Sequence, residues 1–417
     1  MNQIIIKPYK LCGELVAPPS KSYSHRALIA AALCDAPSTI HNIVLSQDVR
    51  ATKEALSAFG AKIHSFEKSC RIVPMPLTRP RTAIDCRESA STLRFLLPLA
   101  LLVEGGCSFT GRAALIGRPL DDYVELFKAH DCIVDYDGKL PISLKGSPLQ
   151  GEISISGAVS SQYISGLLFA LPLSGAAATI KLTEPLQSRD YVAMTIDVLA
   201  QYGIKVESLA SGWHLAAKQR YRATDYRVEG DYSNAAFWLV AATLGERIVI
   251  RGLNPNSLQG DRRIVDIINR MGGDVKASDD ALIANPAQTH GIDLDISNVV
   301  DLVPVIALLA ALSKGQTRLY NGARLRLKES DRIKSTVEQL RALGADIVET
   351  ADGMIIRGVS ALRGGIVDSC GDHRIAMMLS VAASVCQQSV TLQNAAVVAK
   401  SYPNFYEDFA ALRGIYE

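Results

Sequence analysis

The chain has 417 residues, 48% of them hydrophobic, and its 44 basic and 42 acidic side chains leave a formal charge of +2. That length outgrows a single core, so two or more lobes are expected. The near balance of charge excludes a global field that would gather nucleic acid or an anionic membrane. The opening "MNQIIIKPYKLCGEL" lacks the pattern of a signal peptide, and no apolar run is long enough to span a bilayer, which predicts a cytoplasmic protein. The eight cysteines include no C-x-x-C pair and read as reduced, structural thiols.

The first element to pose a question is "KSYSHR", residues 21–26, at the mouth of the apolar helix that continues "ALIAAAL". A helix start offers unpaired N–H groups and the positive end of the macrodipole, which already suits an anion. A Ser-rich cap with solvated cations is the plainer reading of this stretch alone. Further along, a helix end of the form L-x-x-x-G-x-x-I recurs as "LSAFGAKI", "LFKAHDCI", "LAQYGIKV", "INRMGGDV", "LRALGADI" and a weaker "ALRGI". The glycine-equivalent positions Gly60, His130, Gly203, Gly272, Gly344 and Gly414 lie 69–73 residues apart, so the chain reads as six units of about 70 residues. Glycine there marks a helix C′ position followed by an alternating strand.

Each unit carries a helix apolar on all faces, such as "LVPVIALLAAL", and then an amphipathic helix opened by charge, such as "KESDRIKSTVEQL". The pattern is β-α-β-α-β-β. A purely structural repeat would have interchangeable helix starts, but here they read "SKSYSHR", "ESASTLR", "SSQY", "GDYSN", "VVDLV" and "GDHR". Divergence at equivalent places is what a shared site produces. The dinucleotide fingerprint, the P-loop, H-x-x-x-H, zinc spacing and G-x-S-x-G are all absent. What stands out is a set of cations at helix starts: Lys21, Arg26, Arg94, Arg118, Lys328, Arg332, Arg374 and Lys400. Phosphates or carboxylates would satisfy them.

With Lys21-Ser22 and Arg26, "SSQ" at 160–162, "KESDR" at 328–332, "GDHR" at 371–374 and "AKSYPNF" at 399–405, the chain resembles the 5-enolpyruvylshikimate-3-phosphate synthase family from end to end. The resemblance implies an α/β fold of the α+β kind: a two-lobed inside-out α/β barrel with three repeats per lobe, helices inward and strands outward. One lobe would be 20–228 and the other 1–19 plus 229–417, with chain crossings that form a hinge closed by anionic substrates. It implies transfer of the enolpyruvyl group of phosphoenolpyruvate to the 5-hydroxyl of shikimate 3-phosphate, with release of phosphate, no cofactor and no metal. No nucleic-acid or membrane partner is expected, and the chain is expected to be a monomer.

By the same resemblance Lys21 touches both ligands. Ser22, Arg26, Ser160, Ser161, Gln162 and Ser188 hold shikimate 3-phosphate, and Asp301 and Lys328 hold its ring hydroxyls. Arg118, Arg332, Arg374 and Lys400 clamp phosphoenolpyruvate, with Gln162 lying between the ligands. Asp301 is the candidate base at the hydroxyl and Glu329 the candidate acid at the methylene, with Lys21 stabilising charge. The plainer role for Asp301 is a cap for the following helix. Arg324 stands where some members carry an Asn, and it is left out of the binding set.

Ala90 stands where many members have Gly beside the phosphoenolpyruvate phosphate, which leads to an expectation of glyphosate tolerance. The sister family, UDP-N-acetylglucosamine enolpyruvyltransferase, has a loop Cys where this chain has Ala113 in "GRAALIGRP" and Asn after the Lys where it has Ser22. A two-lobed phosphometabolite sensor would need the cations but neither Asp301 nor Glu329.

Overall fold

The computed structural model describes residues 3–278 and 280–413. The chain divides into two compact units: Pro19–Val228, called here the first unit, and Met1–Pro18 with Glu229–Glu417, the second. Each has its own hydrophobic core. The fold is α/β, and among the described residues it has six small sheets, three in each unit.

One repeat shows how the sequence builds the unit. Strand Gly151–Ile155 leads through helix Ser161–Ala170 to a parallel strand, Ala178–Leu182. Helix Arg189–Gln201 follows, and the hairpin Glu207–Leu209 and Gly212–Leu215 closes the sheet antiparallel to Ala178–Leu182. A parallel pair needs a crossover, and the apolar helix is that crossover. It is therefore covered on all sides: every residue of Val303–Ala311 is buried, and so are Tyr23 to Ala32 in Lys21–Ala32. In the second unit the inner helices Tyr232–Leu244, Val303–Ala311 and His373–Val385 pack on one another.

Three sheets are completed by strands distant in sequence. Tyr226–Arg227 is the parallel edge strand of Ser38–His41, and Gly13–Val16 plays that part for Ile248–Arg251. Gln3–Ile6 lies antiparallel to Val390–Gln393, at the position that a hairpin strand takes in the other sheets. The N-terminal strands thus belong to two sheets of the second unit.

Gly60, Gly203, Gly272 and Gly344 all follow helices with φ between +80° and +111°, where a Cβ would be strained. In the second repeat the register differs from the reading of the sequence. His130 is the C-cap with φ −109°, and the left-handed residue is Asp131 at φ +57°. A short polar side chain tolerates that conformation, so Asp131 replaces glycine and the motif is displaced by one. Gly414 lies outside the described residues.

Burial raises the thiols of Cys34, Cys107 and Cys386 to about 12, as it does for inert structural cysteines. Among the described residues no helix is long and apolar enough to cross a membrane.

Candidate active site

Five of the six inner helices open on a side-chain cap. Ser20 accepts from Tyr23 N, Ser89 from Thr92 N, Ser160 from Gln162 N, Asp231 from Asn234 N and Asp372 from Arg374 N. The sixth departs from the pattern. Its N-cap is Leu302, with no side-chain bond, so the capping role considered for Asp301 is not the one it takes. Its carboxylate turns to cations instead.

Asp301 Oδ1 accepts from Arg332 Nη1 at 2.6 Å and lies 3.5 Å from Lys328 Nζ, while Oδ2 is 3.3 Å from Arg374 Nη2. Arg332 is the first residue of helix Arg332–Ala342, set there by the Asp331 cap, which accepts from Lys334 N. Its guanidinium is 1% exposed and holds two further carboxylates: Glu329 Oε2 at 2.6 Å from Nη2 and Asp372 Oδ2 at 2.7 Å from Nε. Lys400 Nζ donates to the Gly371 carbonyl at 3.0 Å, which ties the "AKSYPNF" segment to "GDHR". The structure thus gathers Asp301, Lys328, Glu329, Arg332 and Arg374 within the second unit, with Lys400 bound to the turn that carries Arg374.

Burial by itself would raise the Asp301 carboxyl, but Arg374, Lys328 and Arg332 outweigh it and hold the group well below the usual carboxylate range. Burial lowers the Lys328 ammonium against the pull of Asp301. Burial likewise works against the charged Arg332, yet Asp372, Glu329 and Asp301 keep it firmly protonated. Asp261, 4% exposed and accepting from Ser233 Oγ, is pushed up to about 6, first by burial and then by the charge of Asp301. Sequence reasoning did not select Asp261 or Asp372 as site residues, although both follow a glycine at a helix start.

Two buried arginines of the first unit, Arg26 and Arg94, use neutral acceptors. Arg26, 2% exposed, donates from Nε to Thr195 Oγ1 at 2.9 Å, from Nη1 to the Ser22 carbonyl at 2.8 Å and from Nη2 to the Tyr191 carbonyl at 2.8 Å. It also stands 5.0 Å from the centre of the Phe95 ring. Arg94, not assigned a ligand from the sequence, joins three segments. Its Nη1 donates to Gln162 Oε1 at 3.0 Å and reaches Ser160 Oγ at 3.4 Å, and Nη2 donates to the Pro119 carbonyl at 2.9 Å. Gln162 Nε2 in turn donates to Ser91 Oγ at 3.0 Å. Arg118, 9% exposed, precedes Pro119 and so belongs to the same group. Ser161 is the first residue of helix Ser161–Ala170.

Lys21 pairs with Asp48 at 3.0 Å, a partner that sequence reasoning missed because it lies on the next helix. Ser188 is buried at φ +52° before helix Arg189–Gln201, and Arg324 donates to the Ser297 carbonyl at 2.7 Å. Ala90 is the first residue of helix Ala90–Leu96 and is 6% exposed. Among the described residues no three His, Cys, Asp or Glu side chains are grouped to hold a metal ion.

Two carboxylates held on one arginine, with Lys328 and Arg374 beside them, make a cluster of charge suited to anionic ligands. The family model for EPSP synthase (3-phosphoshikimate 1-carboxyvinyltransferase) matches residues 5–409. The chain belongs to the EPSP synthase family. Similar curated relatives include the 3-phosphoshikimate 1-carboxyvinyltransferases of Clostridium acetobutylicum, 43% identical with 99% of this chain and 98% of that protein covered, and of Clostridium novyi, 41% identical with 100% and 98% covered. Among solved structures, the EPSP synthase of Acinetobacter baumannii superposes with a TM-score of 0.84 at 25% identity, covering 99% of this chain and 98% of that one. The enolpyruvyl transferase NikO of Streptomyces tendae shares the fold with a TM-score of 0.77 at 18% identity over 99% of this chain and 98% of that one. EPSP synthase membership is therefore carried by the whole length of the chain.

Proposed function

We propose that this chain transfers the enolpyruvyl group of phosphoenolpyruvate to the 5-hydroxyl of shikimate 3-phosphate, giving 5-enolpyruvylshikimate 3-phosphate and inorganic phosphate on the route to chorismate and the aromatic amino acids. Family membership supports the reaction. The observation that carries the mechanism is the placing of Asp301 and Glu329 on one buried guanidinium, Arg332.

In the addition half, C3 of phosphoenolpyruvate gains a proton from Glu329 while the 5-hydroxyl, losing its proton to Asp301, attacks C2. In the elimination half Glu329 takes a proton back from C3, the C2–O bond to phosphate breaks with the double bond restored, and the proton held by Asp301 passes to the departing phosphate. Lys21 stabilises charge on the departing phosphate and the attacking oxygen. Ser22, Arg26, Ser160, Ser161, Gln162, Ser188, Asp301 and Lys328 hold shikimate 3-phosphate in this reading. Lys21, Ala90, Arg118, Gln162, Arg332, Arg374 and Lys400 hold phosphoenolpyruvate, where bidentate guanidinium pairing matches carboxylate and phosphate. The protein works in the cytoplasm as a monomer.

The test is phosphate release from phosphoenolpyruvate with shikimate 3-phosphate and, separately, with UDP-N-acetylglucosamine. Release only with the first is expected. Release only with the second would transfer the chain to the sister activity, and release with neither would favour a sensor.

Glyphosate tolerance belongs to the same reading. A Cβ at Ala90 crowds the longer phosphonate more than phosphoenolpyruvate, and one methyl in a packed pocket is worth about 1–3 kcal/mol, roughly 10- to 200-fold in discrimination. Ala90→Gly should therefore be the more sensitive enzyme in inhibition assays. Equal sensitivity with unchanged phosphoenolpyruvate affinity would end the steric argument.

A further inference from the structure

Four buried side chains of the first unit form a line of hydrogen bonds that the roles above do not use. His25 Nδ1 lies 2.7 Å from Thr52 Oγ1, and Thr52 Oγ1 lies 2.7 Å from Thr92 Oγ1. Thr92 Oγ1 then donates to Ser89 Oγ at 2.8 Å. Their exposures are 1% for His25 and Ser89 and 0% for the two threonines.

The direction of the line follows from proton counting. A threonine hydroxyl has one hydrogen, and that of Thr92 goes to Ser89 Oγ, which leaves none for Thr52. Thr52 must then donate to Thr92, and its oxygen accepts from His25 Nδ1–H. The imidazole is thus the neutral Nδ1–H tautomer. Its surroundings keep the ring neutral, because burial, then Lys21, then Arg26 drive its pKa well below the ordinary histidine value.

The line joins three helix starts. His25 is one turn beyond Lys21 on Lys21–Ala32, and Thr52 is one turn beyond Asp48, the partner of Lys21, on Gln47–Ala58. Ser89 caps Ala90–Leu96, accepting from Thr92 N at 3.1 Å, and the next residue is Ala90. Valine would fill the space of either threonine without placing a hydroxyl in the core, and a buried hydroxyl is unfavourable unless bonded. Bonded in series, these groups strengthen one another and fix distances that apolar packing would leave adjustable.

We propose that the His25–Thr52–Thr92–Ser89 relay is a positioning device that sets the Ser89–Ala90 turn against the Lys21–Asp48 end of the neighbouring helices, and thereby sets the fit of phosphoenolpyruvate. This rests on the functional reading above, in which Ala90 faces phosphoenolpyruvate alone. All four members are positioning residues, acting through Ala90 and Lys21.

The experiment compares wild type, Thr52→Val and Thr52→Ser for turnover, both Michaelis constants and urea stability. Valine keeps the shape and removes the middle of the relay, while serine keeps the hydroxyl. Thr52→Val should raise the KM for phosphoenolpyruvate about tenfold or more, leave the KM for shikimate 3-phosphate within about twofold and change kcat by less than about threefold. Thr52→Ser should restore the wild-type value. An unchanged KM for phosphoenolpyruvate, an equal rise in both constants, or failure of serine to rescue would each overturn the relay. If Thr52→Val does not fold, His25→Leu breaks the line at its far end and should show the same split at smaller size; no split there overturns the proposal too. A wild type that releases no phosphate from this pair of substrates would overturn the functional reading and the relay together, whereas an active wild type without the split overturns the relay alone.

Discussion

The two units bury arginines in opposite company. In the second, Arg332 is surrounded by Asp301, Glu329 and Asp372, and their charges keep it firmly protonated. In the first, every hydrogen-bond acceptor of Arg26 and Arg94 is neutral, and burial lowers Arg26 to about 10 and Arg94 in the same direction. The difference separates two tasks. Asp301 is held ionised by Arg374, Lys328 and Arg332, the state in which a carboxylate can accept a proton. Cations held only by carbonyls and hydroxyls keep their charge uncancelled, and an incoming anion supplies what the fold withholds.

The sharpest way to break this contrast is to remove the cation at its densest point. Arg332→Met removes the buried cation that three carboxylates share, leaving Lys328 and Arg374 beside Asp301, and should destabilise the second unit by about 3–5 kcal/mol in urea unfolding. Arg94→Met leaves only neutral acceptors unbonded and should lose about 1–3 kcal/mol. Equal losses would mean that the neutral cage is as dependent on charge as the ionic one.

Turnover offers the next test. Asp301→Ala and Glu329→Gln should each slow the reaction by at least about 100-fold, with shikimate 3-phosphate still bound in calorimetry, because acid–base groups act mainly in the transition state. Near-normal turnover in either variant removes that residue from the mechanism.

A pH series then distinguishes a half-buried carboxyl of the second unit, Asp301, from a buried one, Asp261. Asp301, depressed when folded, contributes stability above its unfolded value of about 3.9, lost as pH falls through its lower folded value. Asp261, raised to about 6, does the reverse: the folded state binds more protons than the unfolded one between about pH 4 and 6, so stability declines as pH rises through that window. Asp261→Asn should therefore gain about 1–3 kcal/mol on wild type between pH 4 and 7. Parallel stability curves would show that Asp261 is ionised throughout.

The smallest effect belongs to Lys21–Asp48, one ion pair, where Arg332 at 1% exposure serves three carboxylates. Asp48→Asn should change stability by no more than about 1 kcal/mol, and less at high salt. A larger, salt-insensitive loss would place this pair with the ionic cluster of the second unit.

Legibility in the sequence followed the range of each interaction. The cap serines, the inner helices and the turns at Gly60, Gly203, Gly272 and Gly344 depend on residues within a few positions, so pattern and conformational preference disclosed them. The Asp131 turn was displaced by one because aspartate adopts φ > 0 without the compositional signal of glycine. Asp301 was ambiguous between cap and base, and the structure removes the cap, because Leu302 occupies that position.

By itself the sequence determined six repeats, a buried and an amphipathic helix in each, and a set of cations at their starts, since periodicity and capping are local properties of a chain. Only the tertiary structure decided which sheet receives Gln3–Ile6 and Gly13–Val16, because strand pairing joins residues hundreds of positions apart. It alone decided that Arg332 meets Asp372 across 40 residues, that Arg94 reaches Gln162 across 68, and that His25, Thr52 and Thr92 meet in one line. Electrostatics and hydrogen bonding act through space, and no window of sequence contains the distances on which they depend.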